Sequence, residues 1–364
     1  MPKTRKAATG AFVGAFVLAG SLTACSSSGS GTGAGGSDSL PIVTMMVGGI
    51  AKQIYLPYVL AQQLGYYQKY GVKMMLSTQF SGGIGAEQAM AAGQVDLAGI
   101  WYIGTIDLQT KGLAAEDIVQ VSAAPGEREM CATDSGVHTA SQWAGKSLGV
   151  TDLGSGTDEL TRLLAAKAGL TAKQYSRVAV SDGTTAIAAL RTKKVQCLMT
   201  TQPTVLEIEQ QKLGYSAIDL STSSGISAAL GGTWPAAGVL ASTAWVSSHQ
   251  EEAQDVVDAL VATLHWIATH SAAAIADELP AAYVQGSGFT KAQYVAALAQ
   301  DKTQFLPDGI MPAGGPEAVL ATEKAIGTDT SKVKLGSTFT NAFAVAANKL
   351  EGYRTTTAPA PATG

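Results

Sequence analysis

Residues 86–97, AEQAMAAGQVDL, hold the pattern that decides the fold. An alanine-rich helical run ends at Gly93, a residue type that readily takes the left-handed conformation of a helix C-terminus, and a short apolar segment follows. Residues 186–197, AIAALRTKKVQC, repeat this order of helix, turn and strand. The recurrence indicates two similarly built halves.

Short β-branched or apolar segments alternate with longer helical ones on both sides of these stretches. The predicted strands are residues 42–47, 72–76, 95–100, 118–122, 147–151, 177–181, 195–200 and 217–220. The predicted helices between them are residues 56–64, 85–92, 103–111, 158–168 and 184–191. This alternation is typical of an α/β fold with mostly parallel sheets.

The chain becomes helical after Trp234, with Ser248 and Glu251 forming a predicted capping box and Thr290 capping a later helix. Because this region offers no further strand pairs for a third sheet, we expect its helices to cover the first half. We therefore assign residues 41–127 plus 232–354 to lobe 1 and residues 128–231 to lobe 2, joined by two crossovers.

The N-terminus has the pattern of an export signal. Lys3, Arg5 and Lys6 precede the apolar residues 11–20, a run shorter than the ~20 residues that a permanent membrane anchor needs. Residues 22–25, Leu-Thr-Ala-Cys, resemble the bacterial lipobox, which predicts a signal peptide over residues 1–24 and a lipidated, palmitate-bearing Cys25. Ordinary cleavage that leaves a free cysteine is the alternative.

Two terminal segments lack the composition of a packed core. Residues 25–40 are mostly Ser, Gly and Thr, which predicts a flexible tether after the lipidated cysteine. Residues 355–364 are mostly Thr, Ala and Pro without periodicity, which predicts a disordered tail.

Overall composition narrows the function. A hydrophobic content of 46% in 364 residues supports a sizeable core and excludes a fibrous or wholly disordered protein. With a net charge of -4 and scattered basic residues, the chain lacks the basic surface of a nucleic-acid binder, so we expect no nucleic-acid partner.

Several motifs, in their order along the chain, resemble a known family. They are LPYVLA at 56–61, GYYQKYGV at 65–72, AGQVDL at 92–97, GKSLGV at 145–150 and GSGT at 154–157. The family comprises the solute-binding proteins of nitrate, sulfonate, taurine and thiamine-precursor importers, and it is related in fold to the yeast pyrimidine synthase. The similarity spans about residues 42–245; residues 195–197, Val-Gln-Cys, depart from the Val-Asp-Ala that is common in the family.

The resemblance implies a type II periplasmic-binding-protein-like fold in which two similar lobes close over a ligand. It implies an extracytoplasmic, lipid-anchored monomer that passes a small polar or anionic solute to the permease and ATPase of an ABC importer. A pyrimidine, thiamine precursor or other small aromatic ligand is the alternative. A sensor or adaptor role and a pyrimidine-synthase-like activity stay open as further alternatives.

Loops rich in Gly, Ser and Thr follow the predicted strands, where ligands of α/β sheets meet helix N-termini. The candidate binding residues on these loops are Gly49, Ser81, Gly82, Ser155, Gly156, Thr157 and Asp182. Ser155 and Asp158 also form a capping-box pattern, and Asp182 could bind an amine or only cap a helix. Ordinary strand-to-helix turns are the alternative for each loop.

Aromatic and basic side chains near the crossovers are further candidates. Tyr55, Tyr102, Trp101 and Trp234 could stack on a ligand or pack at a hinge. Arg128 could bind a carboxylate, sulfonate or phosphate, or neutralise the acidic residues on either side of it.

The type II topology that the resemblance implies would place Cys131 and Cys197 on neighbouring antiparallel strands. A disulfide is then possible, since export permits disulfides, with two buried free thiols as the alternative.

The sequence contains no recognised catalytic pattern. The Gly-x-Gly pairs at Gly83 and Gly154 lack the third glycine of a dinucleotide fingerprint, and no nucleophile elbow or phosphate loop occurs. The four histidines show no metal-binding spacing. We therefore expect a binding protein rather than an enzyme, with no cofactor and no metal.

Overall fold

The computed structural model describes residues 39–79, 82–286 and 288–361. The strands are β1 (Ile42–Val47), β2 (Lys73–Thr78), β3 (Leu97–Trp101), β4 (Ala115–Gln120), β5 (Glu127–Ala132), β6 (Ser147–Val150), β7 (Ser176–Ala179), β8 (Cys197–Thr201), β9 (Gly214–Asp219) and β10 (Ala237–Ser242). The α-helices before β10 are α1 (Leu56–Gln63), α2 (Tyr66–Lys69), α3 (Gly83–Ala91), α4 (Ile103–Thr110), α5 (Gly156–Lys167), α6 (Gly183–Arg191), α7 (Thr204–Gln210) and α8 (Ser223–Leu230). Those after β10 are α9 (Thr243–Ser248), α10 (Gln250–Thr269), α11 (Ala272–Glu278), α12 (Ala281–Val284), α13 (Lys291–Asp301), α14 (Gly315–Ala325) and α15 (Ala342–Glu351).

The strands form two sheets with matching topology. One sheet has the order β2-β1-β3-β10-β4 and the other β7-β6-β8-β5-β9. In each sheet the fourth strand, β10 or β5, runs antiparallel to both of its neighbours. We call the first sheet with its helices lobe 1 and the second sheet with its helices lobe 2.

The chain passes between the sheets twice, through residues 121–126 and 220–236. From the sequence we expect the crossovers near residues 125–130 and 224–234, and the first of these ranges overlaps β5, which begins at Glu127. This strand is buried over its whole length, as the middle of a sheet requires.

Local sequence signals account for much of this architecture. The predicted strand at residues 42–47 coincides with β1, and Thr290 caps α13 as predicted, in a capping box with Gln293. The capping box expected at Ser248 is wrong, because Ser248 ends α9 and its hydroxyl donates to the carbonyl of Ala244 at 3.0 Å.

The C-terminal helices pack on more than lobe 1. The apolar face of α10 is buried through Val256, Val257 and Leu260, while α13 packs on α7 and α14 packs on both α4 and α5. Helices α13 and α14 therefore contact lobe 2 as well.

Residues 355–361 differ from the predicted disordered tail. The backbone N–H groups of Thr356 and Thr357 each donate to Asp308 at 2.8 Å, and Ala360 is buried. This packing depends on a buried aspartate far away in the sequence, which composition does not reveal.

Some N-terminal and C-terminal predictions lie outside the described residues: the signal peptide, the lipidated Cys25, most of the tether, and residues 362–364. Among the described helices, none is long and apolar enough to cross a membrane.

The two cysteines of the folded region are bonded. Cys131 on β5 and Cys197 on β8 are directly paired across the strands, and their sulfur atoms lie 2.02 Å apart. The disulfide links two neighbouring strands of lobe 2.

Candidate functional site

A cleft lies between the lobes, where strand ends and helix N-termini face each other. Its interior volume is about 30 Å³, which is room for about one or two water molecules, so the lobes lie close together here. Lobe 1 contributes Lys52, Ile54, Tyr55, Gly82, Gly83, Ile84, Glu87, Ile100, Trp101, Ile103, Gly104 and Asp107. Lobe 2 contributes Glu127, Thr151, Gly154, Ser155, Gly156 and Thr157.

Two glycines allow the walls of the cleft to approach closely. Gly82 has a φ of 87°, and a Cβ there would lie 2.9 Å from the hydroxyl of Thr151 across the cleft. A Cβ on Gly156 would lie 2.7 Å from Cζ3 of Trp101. Any larger residue at position 156 would therefore displace the indole or the start of α5.

Three hydroxyl groups form a closed network at the start of α5. Thr151, Ser155 and Thr157 lie 2.8 to 3.0 Å from one another, and Ser155 also donates to the carbonyl of Asp152. The predicted capping box is wrong, because Ser155 makes no side-chain cap and Asp158 instead accepts from Arg177. The network fixes the hydroxyl groups that face the cleft.

Trp101 presents a buried indole to the cleft. Only 6% of the residue is exposed, and its Nε1–H has no hydrogen-bond partner among the described residues. Trp234 packs edge-on against it at 5.5 Å and donates its own Nε1–H to Thr322 at 2.9 Å. Trp234 thus supports Trp101 from behind, while the indole N–H of Trp101 remains available.

The charges of the cleft are mainly acidic. Glu127 is 1% exposed, its Oε2 has no partner among the described residues, and burial raises its pKa to about 8, although Lys52 acts in the opposite direction. Burial also raises the pKa values of Glu87 and Asp107. A carboxyl group with a raised pKa can donate as well as accept a hydrogen bond near neutral pH.

Lys52 is already engaged. Its Nζ lies 3.2 Å from the carboxylate of Asp182 on lobe 2 and donates to the carbonyl of Gly48 at 3.2 Å. The backbone N–H of Gln53 donates to the carbonyl of Gln202, also on lobe 2, at 2.9 Å. These contacts join the lobes beside the cleft.

The structure brings many of the predicted site residues together. The predicted residues that line the cleft are Tyr55, Gly82, Trp101, Ser155, Gly156 and Thr157. Gly49 and Asp182 adjoin it through Lys52, and Trp234 adjoins it through Trp101. Ser81 lies outside the described residues.

Two predicted residues lie elsewhere. The hydroxyl of Tyr102 is paired with that of Thr338 at 2.5 Å, away from the cleft. Arg128 binds both carboxylate oxygens of Asp301, at 3.0 and 2.6 Å, and lies 3.4 Å from Asp219. Arg128 is thus neutralised by acids other than its sequence neighbours and contributes no free cation to a ligand.

Two groups of side chains bring potential metal ligands close together. In one, Glu129 lies beside Cys131 and Cys197, whose sulfur atoms are already bonded to each other. In the other, Asp107, Glu159 and Glu323 meet at the edge of the cleft. Neither group follows a sequence spacing that is typical of metal sites.

The model of the NMT1/THI5-like family matches residues 53–274. This chain belongs to the NMT1/THI5-like family. No curated protein sequence matches it significantly.

Solved structures resemble this NMT1/THI5-like protein over most of its length. A protein from Bordetella bronchiseptica is 28% identical, with a TM-score of 0.79, covering 85% of this chain and 98% of its own. The alkanesulfonate-binding protein SsuA of Xanthomonas axonopodis, bound to MOPS, is 18% identical, with a TM-score of 0.65, covering 82% and 98%. The nitrate-binding protein NrtA of Synechocystis is 14% identical, with a TM-score of 0.63, covering 85% and 89%.

These similarities confirm the predicted periplasmic-binding-protein fold for the NMT1/THI5-like chain. The fold also occurs in an enzyme, the desulfurization enzyme DSZB, which is 14% identical with a TM-score of 0.57 and covers 85% of this chain and 99% of its own. Fold alone therefore does not separate binding from catalysis.

Sequence reasoning missed several residues of the site in this NMT1/THI5-like protein. They are Lys52, Glu87, Asp107, Glu127 and Thr151. Glu127 stands next to Arg128, and the sequence favours the arginine as the ligand-binding residue because its positive charge suits an anion. No strand is predicted at residues 127–132 from the local pattern, so the sequence offered no signal that Glu127 would be buried at the site.

Proposed function

We propose that this NMT1/THI5-like protein is a monomeric, extracytoplasmic solute-binding protein that closes around a small ligand and delivers it to the permease and ATPase of an ABC importer. The export-signal pattern and Cys25 support attachment to the outer face of the membrane through lipid. The family and the two-lobed fold support ligand capture.

The proposal rests above all on two unpartnered polar groups in the cleft. Trp101 Nε1–H and Glu127 Oε2 are buried, and each lacks a partner among the described residues. A buried polar group without a partner costs free energy, which a ligand that bonds to both would recover. Trp101 comes from lobe 1 and Glu127 from lobe 2, so such a ligand would favour closure.

The charges of the cleft favour a neutral or cationic ligand. The acidic lining residues are Glu87, Asp107 and Glu127, and the one lysine among the described lining residues is paired with Asp182. A nitrate or sulfonate would find no unpaired cation among the described lining residues, whereas Glu127, whose pKa burial raises to about 8, can both donate to and accept from a neutral ligand near neutral pH. We therefore favour a nitrogen heterocycle of the pyrimidine class, whose ring edge offers an acceptor for the indole N–H of Trp101 and a hydrogen-bonding partner for Glu127.

Calorimetric titration with an aminopyrimidine, taurine, MOPS and nitrate tests this proposal. We expect heat of binding from the aminopyrimidine, with affinity about tenfold or more weaker in Glu127→Gln and in Trp101→Phe, because each change alters one hydrogen bond to the ligand. Glu251→Gln, an exposed residue on α10, is the matched control and should bind as the wild type does.

Binding only of MOPS, taurine or nitrate would contradict the ligand class. Equal affinity in the wild type and both site variants would contradict the location of the site. Recovery of the bound ligand unchanged after long incubation is expected of a binding protein, whereas turnover would indicate an enzyme.

A further inference from the structure

Three carboxyl groups meet where α4, α5 and α14 pack together. Asp107, Glu159 and Glu323 each bring one oxygen to within 4.8 Å of the other two. Glu159 is 4% exposed and Glu323 1% exposed. Like charges held this close in a buried place repel one another strongly unless something neutralises them.

Two oxygens of this carboxyl cluster lack a partner. Glu159 Oε2 and Glu323 Oε1 are buried without a hydrogen-bond partner among the described residues. Buried carboxylate oxygens are normally satisfied by donors or by a bound cation. Asp107 and Glu159 share a side-chain hydrogen bond, so Glu159 Oε2 and Glu323 Oε1 are the oxygens left for a ligand of the cluster.

The nearby cations are directed elsewhere. Lys111 binds Glu87 at 2.9 Å, and Arg162 donates to the backbone carbonyl of Ile326 at 2.9 Å. Neither cation therefore donates to the two unpartnered oxygens of the cluster.

We propose that Asp107, Glu159 and Glu323 bind one divalent cation of the calcium class. Calcium takes oxygen ligands at about 2.3–2.6 Å, so oxygens around one ion lie up to about 5 Å apart, which the cluster satisfies. Magnesium usually keeps several waters and is bound through only one or two carboxylates, so three protein carboxylates suit calcium better. Water and backbone oxygens would complete the coordination.

The site would couple the cation to closure. Asp107 lies on α4 of lobe 1 and lines the cleft, whereas Glu159 lies on α5 of lobe 2. An ion held by both favours the closed arrangement, and by linkage it raises the affinity for any solute that also needs closure. This inference does not depend on the identity of that solute.

Calorimetric titration of the EDTA-treated full chain with calcium chloride tests the site. We expect one calcium ion per chain in the wild type and in the Glu251→Gln control, and affinity reduced about tenfold or more in Glu159→Gln and Glu323→Gln, since calcium affinity follows the number of charged ligands. Thermal unfolding in EDTA checks folding: both variants should unfold at or above the wild-type temperature, because one repelling charge has been removed.

Three results would overturn the proposal. The first is a wild type that binds no calcium and is stabilised only by acid, which would mean that the carboxyl groups share protons instead. The second is equal calcium affinity in the wild type and both variants. The third is unfolding of both variants well below the wild type in EDTA, which would mean that the carboxyl groups are structural hydrogen-bond partners.

Discussion

Replacing Gly156 by alanine should destabilise the protein through a clash with Trp101. The new Cβ would lie 2.7 Å from Cζ3 and 2.9 Å from Cδ2 of an indole that is buried and held from behind by Trp234. Overpacking of this kind costs about 1–3 kcal/mol. Alanine restricts the unfolded chain and returns about 0.4–1 kcal/mol, which leaves a net loss of about 1–2 kcal/mol.

A double-mutant cycle isolates this clash. Urea unfolding should be measured for the wild type, Gly156→Ala, Trp101→Phe and the double variant. Because phenylalanine lacks Cζ3 and the rest of the second ring but keeps a carbon near the position of Cδ2, Gly156→Ala should cost less in the Trp101→Phe background, with a coupling energy of about 0.5–2 kcal/mol. Equal destabilisation in both backgrounds would contradict the predicted clash, and so would a stable Gly156→Ala in the wild-type background.

Further predictions concern buried groups elsewhere in the lobes. Burial raises the pKa of Glu127 to about 8 from an ordinary value of 4.5, so the unfolded chain ionises this carboxyl at lower pH than the folded protein does, and the free energy of unfolding should fall as pH rises between these values. Glu127→Gln should reduce this slope of unfolding free energy against pH, and an unchanged slope would contradict the assignment to Glu127. Replacing Cys131 and Cys197 together by serine should lower the free energy of unfolding by about 4 kcal/mol, because the disulfide closes a loop of 66 residues and so restricts the unfolded chain. A loss below about 1 kcal/mol in urea unfolding would count against this entropic origin. Arg128→Met should cost about 3–5 kcal/mol because it leaves Asp301 buried and unpaired, and Arg128→Met with Asp301→Leu should recover most of that loss; no recovery would contradict the buried-pair account.

The repeat of helix, turn and strand was enough to predict two similarly built halves, but the local pattern indicated neither β5 nor β10, the antiparallel fourth strand of each sheet. Local periodicity predicted β1. The glycine-rich loops predicted the helix N-termini that line the cleft, including Gly82 and Gly156. These signals are local, because strand alternation and glycine conformations depend on neighbouring residues.

The misplaced residues depend on distant partners. Arg128 is paired with Asp301, 173 positions away, and residues 356 and 357 are held by Asp308. Glu127 belongs to the site because two lobes meet around it, which no local pattern encodes. Its positive charge alone predicts Arg128 as the ligand-binding residue. In the folded protein Arg128 is paired with Asp301, whereas the buried Glu127 is available to a ligand.

We propose that the cleft binds a small nitrogen heterocycle in preference to anions. Native mass spectrometry of the full chain, mixed with equimolar aminopyrimidine, taurine, MOPS and nitrate, measures this preference in a single experiment. We expect one aminopyrimidine per chain, with occupancy reduced in Glu127→Gln and unchanged in Glu251→Gln. Selective binding of taurine, MOPS or nitrate, or equal aminopyrimidine occupancy in Glu127→Gln and the wild type, would contradict the claim.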